Sequence, residues 1–501
     1  MTRKFYNRSN IGKLMLLIGM LVAVPLVIVP FYPQDAIYMV PFMLPSLGSI
    51  ILGSIICLMR KKEESTFEWR TSMQRSSLTV MFAWGWGVFI GAGPFVLGGQ
   101  LTFIQALFEA VSGWTTTGLS AMDVTITPHI YLFHRSFMQF CGGLGFVMMM
   151  VMLVQDKQSM NLYNAEGHPD KLLPNLKKTA QTICLMYNGF LIFGTAAYVI
   201  VGMNLFDAVN HTMCALSTGG FSTRLNSIGE YNSIFIDIIT IVLMLIGTTN
   251  FAVLLLITKR KWRQVIKVSE IRFMFLLLLV FVPIIAYSLI NGMNMSIGEG
   301  IRRALFDVTS ALSTTGYSSM SYTSWPPLAV AMLILTMLIG GGIGSTAGGL
   351  KLTRVYLMIR STLHNIRKRL SSPRNVETLY YFRAQGKTVI DSTLTMDTSG
   401  FVTTYLVLYI TGTLLLTQTA DCSLTEAMFE FASALGTVGL SIGITSPDTN
   451  TATLVVEMFG MILGRLEIFI VFIGFYSAGS LIKQSFEKIR MHIFSITSNN
   501  S

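Results

Sequence analysis

A short segment occurs four times in this chain, and each copy lies between two long apolar runs. The copies read FEAVSGWTTTGLS from Phe108, NHTMCALSTGGFS from Asn210, FDVTSALSTTGYS from Phe306 and FEFASALGTVGLS from Phe429. Aligned on the last glycine, Gly118, Gly220, Gly316 and Gly439 fall in register. Thr116, Thr218, Thr314 and Thr437 stand two residues before them, and Ser120, Ser222, Ser318 and Ser441 two residues after. One cluster of Ser, Thr and Gly between helices is an ordinary turn. Four in register make a repeated structural unit.

The flanking runs identify the solvent. A membrane span takes about 20 mostly apolar residues, and ten such stretches lie near 12–31, 37–58, 78–98, 132–154, 180–202, 233–257, 272–291, 327–358, 399–418 and 452–480. The chain is 52% hydrophobic and 12% charged, outside the range of ordinary soluble domains. Arg3, Lys4, Arg8 and Lys13 precede the first stretch as they would a signal peptide, but no small-residue cleavage pattern follows Ala36, so a retained helix is predicted. Cys57, Cys141, Cys184 and Cys214 lie in or beside apolar segments and Cys422 near the outer surface, which implies neither a disulfide nor a metal framework.

A net charge of +11 invites a nucleic-acid reading, but the basic residues are placed as topology signals. They cluster before the first span, in 60–77, 155–178, 259–272 and 351–387, and after 482. Only Arg135, Arg224, Arg302, Arg303 and Arg465 fall elsewhere. Both termini are predicted in the cytoplasm, with lipid rather than nucleic acid as the macroscopic partner.

Each repeated segment reads as a short helix of about eleven residues followed by a polar stretch too irregular to continue it. Unpaired backbone cannot face lipid, so such a stretch must line a water-filled path. Glycine admits dihedrals that let successive carbonyls point inward, and carbonyls on a common axis replace the hydration shell of a cation, as in the TVGYG filter of K⁺ channels. Thr437-Val438-Gly439 and Thr314-Thr315-Gly316-Tyr317 come close to that motif. The candidate filter comprises Thr115, Thr116, Thr117 and Gly118; Ser217, Thr218, Gly219 and Gly220; Ser313, Thr314, Thr315 and Gly316; and Gly436, Thr437, Val438 and Gly439. Within it, Thr116, Thr117, Thr218, Gly219, Thr314, Thr315, Thr437 and Val438 are the predicted K⁺ ligands. Fused repeats also fit a transporter that encloses its substrate near the midplane. Short helices ending toward the centre would favour a cation there through their negative dipole ends.

Glu109, Asp307 and Glu430 stand nine residues before their glycines, with His211 at the matching place, and are expected to cap helix starts. Asp123 and Asp448 follow the first and fourth filters, and two readings stay open: cation attraction at the outer mouth, or solvated loop acids. The span near 327–358 is interrupted by Gly340, Gly341, Gly342, Ile343, Gly344, Ser345, Thr346, Ala347, Gly348 and Gly349, with Lys351 just beyond. Each glycine costs a helix about 0.8–1 kcal/mol relative to alanine. The run is read as a gate below the filter, with close helix packing as the competing role. Arg465 sits inside the last apolar stretch, where insertion costs roughly 2.5–3.5 kcal/mol. It needs the glycine-loop carbonyls, cavity water or Glu467 as partner, although residues two apart on a helix point in different directions.

These residues together resemble the Trk/Ktr/HKT superfamily of potassium and sodium transporters over nearly the whole chain. The matches are GGLGF at Gly142–Phe146, STGGFSTR at Ser217–Arg224, GGGIGSTAGGLK at Gly340–Lys351 and LGRLEIF at Leu463–Phe469. The two extra spans before residue 60 are similar to the amino-terminal part of the TrkH branch, while Gly436-Thr437-Val438-Gly439-Leu440 is closer to the Ktr branch. The resemblance implies an all-α polytopic membrane protein. A two-helix domain over 1–60 would precede four units of outer helix, pore helix and inner helix in pseudo-fourfold array, over 61–178, 179–270, 271–390 and 391–501. It also implies a homodimer with one pore per protomer, a cytoplasmic ring of nucleotide-binding regulatory subunits similar to TrkA, an arginine at Arg465 facing the gate, and preference for potassium because Gly118 is not a serine.

The function expected is gated potassium uptake at the cytoplasmic membrane, with K⁺ as cargo and no organic cofactor. A sodium- or proton-coupled symporter of the same fold is the alternative. ATP hydrolysis is disfavoured, since the chain has neither GxxxxGK[ST] nor DKTG. So is a membrane enzyme, because the six histidines are scattered. Voltage gating is disfavoured because no span carries Arg or Lys at every third position.

Overall fold

Lipid supplies no hydrogen-bond partners, and the apolar runs fold into helices that satisfy their own backbone. The computed structural model describes residues 10–58, 72–146, 148–149, 176–371 and 378–480. Most of the basic stretches at 60–77 and 155–178, and everything after 480, lie outside them. Two helices come first, α1 (Asn10–Ala23) and α2 (Met39–Leu58). Small residues let them touch closely: a Cβ on Gly53 would lie 2.8 Å from the carbonyl oxygen of Gly12, and Ser46 and Ser49 donate to the carbonyls of Gly19 and Met15.

After this pair, one order of elements recurs four times: a long helix, a short helix, an extended polar segment and a second long helix. The first set is α3 (Ser72–Leu97), α4 (Phe103–Trp114) and α5 (His129–Leu144). The second is α6 (Leu176–Ile200), α7 (Leu205–Leu216) and the pair α8 (Ile234–Thr248) and α9 (Phe251–Thr258). The third is α10 (Ser269–Met293), α11 (Ile297–Ser313), α12 (Pro327–Ile339) and, beyond the glycine run, α13 (Leu352–Leu370). The fourth is α14 (Ser392–Thr419), α15 (Leu424–Gly436), α16 (Thr451–Arg465) and α17 (Ile468–Ser480). The long helices carry bare apolar faces, with Leu185, Ile192, Leu279, Ile410 and Phe475 all exposed, as lipid contact demands.

Two departures from the sequence reading stand out. The inner helix is broken in every set rather than in the third alone. Gly145 turns the chain after α5 at φ +80, α8 and α9 meet at 115°, and α16 and α17 meet at 107° around Glu467 at φ +55. The stretches at 233–257 and 452–480 are therefore bent pairs. The stretch at 132–154 breaks at Gly145, and its far end lies outside the described residues. The chain is also not wholly helical. Strands β1 (Tyr380–Arg383) and β2 (Gly386–Val389) form an antiparallel hairpin in the basic segment after α13, because Tyr, Phe, Thr and Val alternate there around a turn closed by Gly386.

Candidate functional site

The short helices α4, α7, α11 and α15 start on polar N-caps. Asn204, Ser296 and Ser423 accept from the backbone N–H of Asp207, Glu299 and Glu426 at 2.8, 3.3 and 3.3 Å, and Gln105 accepts from the N–H of Thr102 at 3.2 Å. The expected caps Glu109, His211, Asp307 and Glu430 lie half-way along these helices instead, completely buried. They reach outward to the loop beyond the filter. Glu109 accepts from Ser120 Oγ at 3.1 Å and the N–H of Ala121 at 3.2 Å. His211 Nε2 lies 2.9 Å from Ser222 Oγ. Asp307 accepts from Ser319 Oγ at 2.5 Å and Tyr322 Oη at 2.7 Å, and Glu430 accepts from Ser441 Oγ at 2.7 Å and the N–H of Ile442 at 3.0 Å. The helices start six residues before Glu109, His211 and Glu430 and ten before Asp307, so these side chains act as tethers for each returning loop.

The filter segments share one backbone form. Thr116, Thr218, Thr314 and Thr437 take φ of +54, +52, +56 and +49, and Gly118, Gly220, Gly316 and Gly439 take +101, +73, +81 and +94. Two left-handed residues in three end each helix and swing the chain back outward. The segments meet in a closed ring. A Cβ on Gly118 would lie 2.2 Å from the carbonyl oxygen of Gly219, one on Gly220 2.0 Å from that of Thr315, one on Gly316 1.9 Å from that of Val438, and one on Gly439 2.2 Å from that of Thr117. Each glycine thus abuts the next copy, and the fourth abuts the first. Above the ring, a cavity of about 430 Å³ is lined by all four glycines.

The remaining filter residues support the ring from behind. Thr115 Oγ1 donates to the Val111 carbonyl and lies 2.8 Å from Thr117 Oγ1, Ser217 Oγ donates to Cys214, and Ser313 Oγ lies 2.7 Å from Thr315 Oγ1. Gly436 packs on α12, where a Cβ would lie 2.8 Å from the Met337 carbonyl oxygen. The hydroxyls of Thr116 and Thr437 are buried with no hydrogen-bond partner among the described residues.

Asp123 and Asp448 do not line the outer cavity. Asp123 is turned back onto Thr125, whose hydroxyl and amide hold its carboxyl below the usual carboxylate range, and Asp448 is exposed. The solvated-acid reading holds for both. Four of the five arginines that break the charge pattern are held by local partners. Arg135 pairs with Glu109 at 2.5 Å, Arg224 with Asp207 at 2.6 Å and Arg302 with Asp237 at 2.7 Å, while Arg303 donates to the Ser319 carbonyl.

Beneath the ring lies the loop between α12 and α13. Its neck closes on itself: Gly340 and Gly349, at φ +70 and +74, are so close that a Cβ on Gly349 would lie 2.7 Å from Gly340 Cα. The N–H of Gly341 donates to Gly348, and Ser345 Oγ to Gly342. The tip reaches three filter copies. Thr346 Oγ1 lies 3.2 Å from Thr218 Oγ1, the N–H of Gly348 donates to Thr314 Oγ1 at 2.8 Å, and a Cβ on Gly348 would lie 2.0 Å from Thr437 Oγ1. Around the loop, Glu270 accepts from the N–H of Ile343 at 2.7 Å, Asn250 donates to the Ile343 carbonyl at 2.6 Å, and the N–H of Phe251 donates to Gly344. Lys351 donates from Nζ to the Ala347 carbonyl. Arg465 donates to the Thr346 carbonyl at 2.7 Å and to the Gly142 carbonyl at 2.6 Å. It is not paired with Glu467, whose partner is Arg354 at 2.7 Å. The bend at Glu467 separates the two side chains.

The sequence profile of the TrkH family, described as cation transport protein, matches residues 46–481. The chain belongs to the TrkH family. The Trk system potassium uptake protein TrkG of Escherichia coli strain K12 is 31% identical over 75% of this chain and 79% of its own. The Trk system potassium uptake protein TrkH of Vibrio parahaemolyticus is 28% identical over 92% and 96%. The crystal structure of the potassium transporter TrkH from Vibrio parahaemolyticus superposes with a TM-score of 0.78 over 93% of this chain and 98% of that one, at 24% identity, so the TrkH fold is shared.

Proposed function

We propose that this TrkH-family chain is a potassium uptake transporter of the cytoplasmic membrane whose four filter segments form one pore, closed from below by the loop 340–351. The observation that carries this reading is the cyclic contact of Gly118, Gly220, Gly316 and Gly439 with the carbonyl of the next copy. A ring of main-chain oxygens without a carboxylate among them suits a weakly hydrated monovalent cation. Arg465 at the loop adds a fixed positive charge below the ring, which opposes cation passage while the loop is in place.

The units proposed are 61–178, 179–270, 271–390 and 391–501 behind an amino-terminal pair over 1–60. The basic segments support a cytoplasmic position for both termini. A homodimer and a cytoplasmic ring of nucleotide-binding subunits docking on the basic inner face belong to the same proposal. The test is ⁸⁶Rb⁺ uptake into proteoliposomes with K⁺, Na⁺ and Li⁺ as competitors. Competition ranked K⁺ first supports the pore. Accumulation driven uphill by a sodium or proton gradient would replace it with symport.

A further inference from the structure

The position before each filter glycine holds Thr117, Gly219, Thr315 and Val438, so the second copy alone has no side chain there. Local contacts hold the others. Thr117 and Thr315 sit within hydrogen-bond distance of Thr115 and Ser313, and a Cβ on Gly436 would lie 3.0 Å from a methyl of Val438. At Gly219 the space is occupied by Gln139, which comes from α5 in the first set. A Cβ on Gly219 would lie 2.4 Å from the Gln139 amide carbon.

Gln139 is completely buried, and both ends of its amide are engaged. Nε2 donates to the Gly219 carbonyl at 2.6 Å, and Oε1 accepts from the N–H of Phe221 at 3.0 Å. An N–H and a C=O as partners leave one orientation for the amide. The Gly219 carbonyl is the oxygen against which Gly118 packs, so the first set grips it from two sides. The carbonyls of Thr117, Thr315 and Val438 accept no side-chain hydrogen bond among the described residues.

We propose that Gln139 is a positioning residue for ion discrimination, a side chain of the first unit that aims the Gly219 carbonyl of the second filter strand. The proposal rests on the reading of the ring as a potassium filter. Whether a filter selects by cavity size or by the number and strength of its dipoles, the direction of each carbonyl enters. With no side chain of its own at Gly219, the second strand depends on a neighbour for what the other strands hold locally. The glycine is in turn required by the glutamine.

The experiment measures K⁺/Na⁺ permeability ratios and ⁸⁶Rb⁺ flux in proteoliposomes. It compares the wild-type chain with Gln139→Met, Gly219→Thr, and Gln139→Ala combined with Gly219→Thr. Methionine keeps the volume and removes both hydrogen bonds. A fall in the ratio of about tenfold with flux retained is expected, equivalent to ~1.4 kcal/mol. Gly219→Thr alone is expected to abolish flux by collision with the amide. Adding Gln139→Ala makes room and regains K⁺ flux, and the K⁺/Na⁺ ratio of Gln139→Met is the readout that a merely structural role would not move. An unchanged ratio in folded, conducting Gln139→Met overturns the assignment, and so does a folded double variant that does not conduct. A wild-type chain with no K⁺ preference would overturn the filter reading itself, and the assignment with it.

Discussion

Replacing Arg465 by Met tests the gate most directly. Of its hydrogen bonds, the 2.7 Å bond to the Thr346 carbonyl holds the loop, while those to Gly142 and Gly143 anchor the side chain to the end of α5. A hydrogen bond from a charged donor contributes about 1.5–3 kcal/mol, so losing it shifts the loop toward release by roughly tenfold to a hundredfold, at about 1.4 kcal/mol per decade. Methionine also removes a charge that costs about 2.5–3.5 kcal/mol to place in the membrane, which offsets the lost contacts in the folding balance. The assay is the initial rate of ⁸⁶Rb⁺ entry into proteoliposomes at matched protein density. The rate should rise by about tenfold or more until the fully open limit, with the K⁺, Na⁺ and Li⁺ ranking unchanged, since the filter lies above the altered contact. A monodisperse Arg465→Met protein with wild-type or lower flux would refute the idea that this arginine holds the loop closed.

Gly118→Ser should relax exclusion of Na⁺, because φ +101 and the nearby Gly219 carbonyl leave no room for a Cβ; competition of Na⁺ against ⁸⁶Rb⁺ reads the change. Deleting Gly341–Gly348 should raise flux without altering selectivity, whereas a folded protein that has lost flux would assign the glycines to packing. Glu109→Ala leaves Arg135 buried without its carboxylate and should destabilise the chain by about 3–5 kcal/mol, seen as a lower unfolding temperature in detergent. Glu270→Gln weakens the anchor on the N–H of Ile343 and should increase flux less than Arg465→Met does, a difference measurable in the same uptake assay.

The four repeated segments are legible in the sequence because what they require is local. Each copy must end a short helix and reverse direction, and Thr-x-Gly does so wherever it occurs. The glycine run after α12 and the intramembrane position of Arg465 are legible for a similar reason, since each is costly in an apolar span. The breaks at Gly145, near Asn250 and at Glu467 are not. One glycine, or a single Glu in an apolar run, is weak local evidence, and the bends emerge only in the folded chain. The spacing of the acids from the glycines does not reveal the true N-caps Thr102, Asn204, Ser296 and Ser423, which lie further upstream.

By itself the sequence determined the solvent, the fourfold repetition, the backbone form of each filter strand and the place of the interrupted helix, all set by composition and short-range sterics. Tertiary structure alone decided which residues meet: each glycine of the ring against the carbonyl of the next copy, Thr346 and Gly348 against Thr218 and Thr314, and Gln139 against Gly219 from eighty residues away. Those contacts join residues whose spacing in the chain carries no signal, because only helix packing brings them within hydrogen-bond reach.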